Sequence, residues 1–311
     1  MGIRNEIQLL RHGRDWRGRS TVPRSADPYI VDEDERVFPT AWARTKAGIA
    51  ARTVLQRGLL KPVAWSQTRP VVTGLEYLEN LEGPVVFVAN HSSHLDTPLI
   101  VCALPRRLSN RLAVGAAADY FFDARWRAIT SALFLNTFPV ERHGNRRLRS
   151  QAIDLLDEGW SLLLFPEGTR SEDGWMSAFK AGTAQLCVSK GVPVVPVALR
   201  GAYAAMPRGR NWPVPGRPKV AVRFGRPLLP VEGEGFRELR DRMMRTVARL
   251  GAEEDMGWYG ALRAEAENHL PVPSRRSDVA VPGVPPASSW RRIWESTRPL
   301  KDDRRRRVWT W

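Results

Sequence analysis

Apolar residues fall along this chain in two rhythms. Short continuous runs at 71–74, 85–88, 112–116, 162–165, 194–199 and 219–224, several bounded by Gly or Pro, read as buried strands. Between them, helical spacing recurs near 97–104, 120–134, 146–158 and 180–190, with a helical turn over Leu75–Leu81. The alternation predicts an α/β domain, a mostly parallel sheet flanked by helices on both faces. A further helix is expected over 236–250, where Phe236, Leu239, Met243, Met244, Val247 and Leu250 share a face; after Gly251 the pattern weakens. Upstream, over 40–66, Trp42, Ile49, Val54, Leu55, Leu59, Leu60, Val63 and Trp65 alternate with Arg44, Lys46, Arg52, Arg57 and Lys61, and no acid interrupts them. Drawn as a helix, this segment is basic and amphipathic, with a Trp near each end, as helices lying in a membrane interface are. A domain helix packed on a core has the same pattern. Four regions follow: an arm (1–39), the amphipathic helical segment (40–66), an α/β domain (67–250) and an extension (251–311) with a Pro-rich linker and a basic tail.

Composition sharpens that outline. The 311 residues carry 48 Lys plus Arg against 33 Asp plus Glu, a net charge of +15. Such a balance suits polyanionic partners: nucleic acid, anionic lipid or phosphorylated substrates. The tail ends Arg304-Arg305-Arg306-Arg307-Val308-Trp309-Thr310-Trp311, which would suit phosphates, but the chain has no nucleic-acid motif and nucleic acid is not the expected partner. Cys102 and Cys187 lie far apart in apolar surroundings, as buried thiols do. No run of about 18 apolar residues and no secretory signal is present.

The chemistry concentrates at two strand ends. Asn90-His91-Ser92-Ser93-His94-Leu95-Asp96 follows the run Val85–Val88 and precedes a helix with Pro98 near its start. Open α/β sheets place ligands at such carboxyl ends. The spacing lets Asp96 fold back onto His91, holding one ring nitrogen while the other takes a proton from a hydroxyl. A helix cap with an incidental His is the plainer alternative. Ser92 and Ser93 lack a nucleophile-elbow pattern, and His94 has no second ligand pair for a metal. At the second strand end, Phe165-Pro166-Glu167-Gly168-Thr169-Arg170 presents a carboxylate, a hydroxyl and a guanidinium in a Gly turn. A fixed guanidinium beside backbone N–H groups suits a phosphate, and a polar turn with a surface ion pair is the plainer alternative.

Together these stretches resemble the glycerolipid acyltransferase family, which acylates glycerol-3-phosphate or lysophosphatidic acid. Asn90-His91 to Asp96 matches its His-(four residues)-Asp block, and Glu167-Gly168-Thr169-Arg170 its Glu-Gly-Thr-Arg block. Phe179-Lys180-Ala181-Gly182, Phe138-Pro139-Val140-Glu141-Arg142 and Val192–Val197 resemble further blocks in the family's order. Asn136 stands where the family often has Gly, and Asn tolerates a left-handed backbone. The resemblance implies His91 and Asp96 as catalytic residues, and Arg142, Glu167, Gly168, Thr169, Arg170 and Lys180 around the acceptor's phosphate. It implies no metal and no cofactor beyond the co-substrate, acyl-CoA or acyl-ACP. Expected partners are the acyl thioester, a lysophospholipid or glycerol phosphate, and an anionic membrane surface, with the protein peripheral on a cytoplasmic face. Lysophosphatidic acid is the leading acceptor, with glycerol-3-phosphate or another lysophospholipid as alternatives. Two other classes remain open at this stage: a hydrolase using the same base with water, and a basic binding protein with a decayed site.

Overall fold

The computed structural model describes residues 40–117, 125–140 and 146–270, without the side chains of 125 and 146–150. The expected arm (1–39), the linker and tail (271–311), residues 120–124 of a predicted helix, Arg142 and His143 lie outside the described residues.

Every residue of strand β2 (Val86–Ala89) is buried, as a continuous apolar run predicts for a strand covered on both faces. Adjacent side chains point opposite ways. Phe87 and Ala89 enter one core with Leu99 and Ile100, whereas Val86 and Val88 enter a second with Leu155, Cys187, Leu239 and Met243. Around β2 stand β1 (Arg69–Thr73), β3 (Leu112–Ala117), β4 (Thr137–Val140), β5 (Ser161–Leu164), β6 (Val194–Arg200) and β7 (Lys219–Phe224). Their order is β1-β7-β6-β2-β5-β3-β4. Strands β6, β2, β5, β3 and β4 run parallel. β7 pairs antiparallel with β6, and β1 parallel with β7, so this edge runs against the rest. At the exit of β1, Gly74 has φ 82°, and a Cβ there would lie 1.9 Å from the carbonyl oxygen of Phe224; only Gly fits.

Helices cover both faces: α1 (Lys46–Leu55), α2 (Lys61–Gln67), α3 (Asp96–Ala103), α4 (Arg106–Ser109), α5 (Arg125–Leu135), α6 (Arg146–Asp157), α7 (Gly182–Lys190), α8 (Ala202–Ala205) and α9 (Phe236–Ala266). The mostly parallel sheet flanked on both faces is as the pattern predicts. Strand β4 was not among the predicted strands. It has four residues including Pro139, and its place at the sheet edge is where Pro is tolerated. Before it, Asn136 adopts φ 51°, and its buried amide donates to Leu112 O at 2.8 Å.

Two expectations need correction. The 40–66 segment is helical, with a π turn (Gln56–Leu60) joining α1 to α2, but its five cations do not share one outer face. Arg52 is only 2 % exposed, donating from Nη1 to Ala43 O at 2.7 Å. Gln56 Nε2 donates to Phe134 O at 2.7 Å, tying the segment to α5. The inner face is therefore core packing, while Trp42, Val54, Leu59 and Val63 stay exposed. The second correction concerns α9, which runs past Leu250 to Ala266, with a break at Gly257 (φ 77°, ψ 167°). What carries it on is charge. Glu254 pairs with Lys219 and Arg223, Glu253 with Arg223, and Asp255 with Arg200. Residues 253–255 therefore pack on the sheet, and the helix continues to Ala266 instead of giving way to the extension at Gly251.

Candidate active site

β2 and β5 are parallel neighbours, Val88 beside Leu164, so the turns that leave them lie side by side at one end of the sheet. In the first turn, Asp96 is fully buried at the start of α3. Its Oδ2 accepts from Ser92 N at 2.7 Å and Ser93 N at 2.8 Å, and His91 Nδ1 lies 3.0 Å away. An ionised carboxylate only accepts, so Nδ1 carries the hydrogen and Nε2 keeps its lone pair. The other carboxylate oxygen, Oδ1, is buried and has no hydrogen-bond partner among the described residues. Phe165 stacks on the His91 ring, with centroids 4.1 Å apart.

The backbone of the turn is pinned as firmly as the ring. Asn90 Nδ2 donates to Leu199 O (3.0 Å) and Asn90 Oδ1 accepts from Leu199 N (2.8 Å), fastening the end of β2 to β6. Ser93 Oγ donates to Met206 O at 2.8 Å; that hydroxyl is a buried peg and no nucleophile. His91 N donates to Glu167 Oε1 at 2.7 Å, and Ser171 N donates to His91 O at 2.8 Å. The second turn thus grips the first.

Glu167 is 4 % exposed, and its Oε2 accepts from Ser177 N at 2.7 Å. Burial pushes its pKa up to about 8 against the lowering effect of the amide bonds from His91 and Ser177. Gly168 has φ 76°, and a Cβ there would lie 2.8 Å from Lys180 Nζ. Its lack of a side chain lets that ammonium lie against the turn, and Lys180 N donates to Pro166 O at 2.9 Å. Thr169 is exposed and Arg170 half-buried. Burial first, then the Arg170 guanidinium and the His91 ring, pull the pKa of His94 down to about 4. His94 is therefore neutral at physiological pH.

The fold brings together His91, Asp96, Glu167, Gly168, Thr169, Arg170 and Lys180; Arg142 is outside the described residues. Among these, the Glu167 carboxylate faces backbone amides. Asn90, Phe165, Ser171 and Ser177 were not singled out from the sequence. Ser171 acts through its backbone N–H, which every residue but Pro carries, so no residue type signals it, while Ser177 adds its hydroxyl to its N–H on Glu167. Among the described residues, no group of three His, Cys, Asp or Glu side chains is placed to hold a metal ion.

An imidazole with a free nitrogen, oriented by a buried carboxylate and flanked by cations, is equipped to deprotonate a hydroxyl on an anionic molecule. Residues 69–200 match the family described as Acyltransferase. A 1-acyl-sn-glycerol-3-phosphate acyltransferase of Pseudomonas aeruginosa is 30 % identical over 191 residues, covering 57 % of this chain and 68 % of that protein. One from Chlamydomonas reinhardtii is 35 % identical over 157 residues, covering 49 % of this chain. The crystal structure of the 1-acyl-sn-glycerophosphate (LPA) acyltransferase PlsC from Thermotoga maritima aligns with a TM-score of 0.54 and 28 % identity, covering 69 % of this chain and 83 % of that one. The chain spans less than half the length of some curated relatives, 45 % of the algal protein and 39 % of a chloroplastic one from Brassica napus. With the paired strand-end turns in place and these likenesses across them, the chain belongs to the glycerolipid acyltransferase family.

Proposed function

We propose that this protein transfers a fatty acyl group from an acyl thioester to the free hydroxyl of 1-acylglycerol-3-phosphate. The observation that carries the proposal is the contact of 3.0 Å between His91 Nδ1 and an Asp96 carboxylate held by two backbone amides. His91 Nε2 takes the hydroxyl proton as that oxygen attacks the thioester carbonyl. The tetrahedral oxyanion then collapses, the C–S bond breaks, and the imidazolium returns the proton to the departing thiolate. No acyl-enzyme is required, because the thioester is already activated and Ser93 is committed to Met206 O.

Arg170 and Lys180, with Arg142, serve the acceptor's phosphate in this reading, alongside the Gly168–Thr169 turn, and charge-assisted bonds favour arginine there. The carboxylate of Glu167 acts indirectly, by holding the turns together. The donor is acyl-CoA or acyl-ACP, with no further cofactor. The exposed apolar residues of the 40–66 segment bring the protein, as a peripheral enzyme on a cytoplasmic face, to an anionic membrane that holds the acceptor.

Purified protein with labelled acyl-CoA and lysophosphatidic acid tests the reaction. His91→Ala is expected to lower turnover by about 10²–10⁴-fold, the usual contribution of a positioned base, with an unchanged melting curve. Near-normal turnover in that variant would overturn the mechanism. Thiol release that is equally fast without acceptor would make the protein a hydrolase instead.

A further inference from the structure

Between α8 and β7, residues 207–218 read Pro-Arg-Gly-Arg-Asn-Trp-Pro-Val-Pro-Gly-Arg-Pro, with three arginines, one tryptophan and no acid. The stem of this loop lies at the catalytic end of the sheet, since Ser93, two residues from His91, donates to Met206 O. The loop is also fastened to itself and to its stem: Arg210 N donates to Pro207 O (3.1 Å) and Val214 N to Ala205 O (2.8 Å). Residues 208–212 are exposed throughout.

Two further bonds attach the loop to α2. Trp212 Nε1 donates to Gln67 Oε1 at 3.2 Å, and Arg217 Nη2 to Trp65 O at 2.9 Å. The first satisfies the indole N–H while leaving Trp212 59 % exposed. Gln67 ends α2, Val63 lies one turn before it on the same stripe, and Leu59 lies further back, in the π turn. Val63 and Leu59 are 37 % and 50 % exposed. Trp212 thus stands over the end of α2, beyond the exposed Val63 and Leu59, in a loop that also carries Arg208, Arg210 and Arg217. Arg208 also pairs with Glu172 at 3.0 Å.

Scattered single apolar residues on a surface mean little, but an exposed tryptophan in an acid-free arginine loop, fastened to a helix with an exposed aliphatic residue, complements an anionic bilayer. Trp settles at the headgroup level there, and each basic side chain adds attraction. An acidic protein partner could use the arginines, yet it would give no role to the exposed Trp212, Val63 and Leu59. We propose that loop 207–218 is a second membrane-contact element that, with α2, seats the catalytic end on anionic lipid. The proposal rests on the reading of a bilayer-borne acceptor, but it concerns binding and is measured without turnover, so the two fail separately.

The test compares Arg210→Glu with Trp212→Ala, together, against Arg245→Glu, an exposed site on α9 with the same change of charge. Cosedimentation uses vesicles of equal phosphatidylcholine and phosphatidylglycerol, and of phosphatidylcholine alone. The double variant is expected to bind the anionic vesicles about tenfold more weakly, with its melting temperature and its turnover of a short-chain, water-dispersed acceptor unchanged. Arg245→Glu should cost less than about threefold. If Trp212→Ala unsettles the loop, Arg210→Glu alone gives the same reading at smaller amplitude. Undiminished binding by the double variant, or an equal loss in Arg245→Glu, would overturn the proposal. So would a defect confined to turnover with donor carried on an acidic protein, which would reassign the loop to that partner.

Discussion

His91 is held at three points: its ring by Asp96, its N–H by Glu167 and its carbonyl by Ser171 N. Positioning of this kind separates Glu167 from the cations around it, and two substitutions divide their roles. Arg170→Ala should raise the KM for the acceptor about tenfold or more while sparing that for the thioester, because a phosphate loses a charge-assisted partner. Equal effects on both substrates would remove Arg170 from the phosphate. Glu167→Gln makes a different prediction. The amide bonds from His91 and Ser177 favour the ionised form, but burial outweighs them and the folded state favours the neutral acid. A carboxyl whose pKa rises from 4.5 when unfolded to about 8 when folded contributes stability that is complete below 4.5 and lost as pH rises through 8. The wild-type melting temperature should therefore fall more steeply between pH 5 and 9 than that of Glu167→Gln, and parallel curves would sink the assignment. The side chains of this site were legible in the sequence because the His and Glu-Gly-Thr-Arg blocks use distinctive residue types. The braces were not, since Ser171 contributes an amide that any residue but Pro supplies, and Ser177 reaches Glu167 from ten residues along the chain.

At the scale of elements, legibility tracks what each segment buries. The continuous apolar runs of β2, β5 and β6 meet apolar partners on both faces, and pattern alone finds them. Helix α9 changes its means of attachment part-way. Up to Leu250 it packs through Leu239, Met243 and Val247, whereas beyond it the acids 253–255 meet Lys219, Arg223 and Arg200. An apolar stripe cannot report the second half, so the sequence pattern stops at Gly251. Glu254 accepts from Lys219 at 2.8 Å and Arg223 at 3.2 Å with 10 % of its side chain exposed. Glu254→Ala strands Lys219 and leaves Arg223 with Glu253 alone, and should destabilise the fold by about 1–3 kcal/mol. Thermal denaturation would register this as a drop of about 2–4 °C per kcal/mol; no change would mean solvent already screens the cluster. Arg52 is the converse case, a cation in an apolar-basic alternation whose guanidinium turns inward to a carbonyl.

Across the whole molecule, strand direction is what the sequence withholds. An apolar run carries no arrow, and the 201–218 connection is long enough for a parallel crossover, yet β7 returns antiparallel and takes β1 with it. The consequence reaches the surface, because the chain enters β1 from the catalytic end and so brings Gln67, the last residue of α2, beside the loop that carries Trp212. No helix among the described residues is long and apolar enough to cross a membrane, and the proposed function has the protein meet its acceptor at a bilayer surface. Two forces are available to hold the protein there. The net charge of +15 acts over a Debye length of about 8 Å at physiological ionic strength and fades as salt rises. Apolar insertion by the exposed side chains does not fade in that way. High salt should therefore release the wild-type protein from anionic vesicles only in part. Leu59→Asp with Val63→Asp removes the salt-resistant share, and the double variant should dissociate almost fully at high salt while melting as the wild type does, since both side chains already face solvent. Sedimentation across a salt series decides the matter: if the double variant retains the wild-type bound fraction at high salt, the outer face of α2 takes no part in holding the membrane.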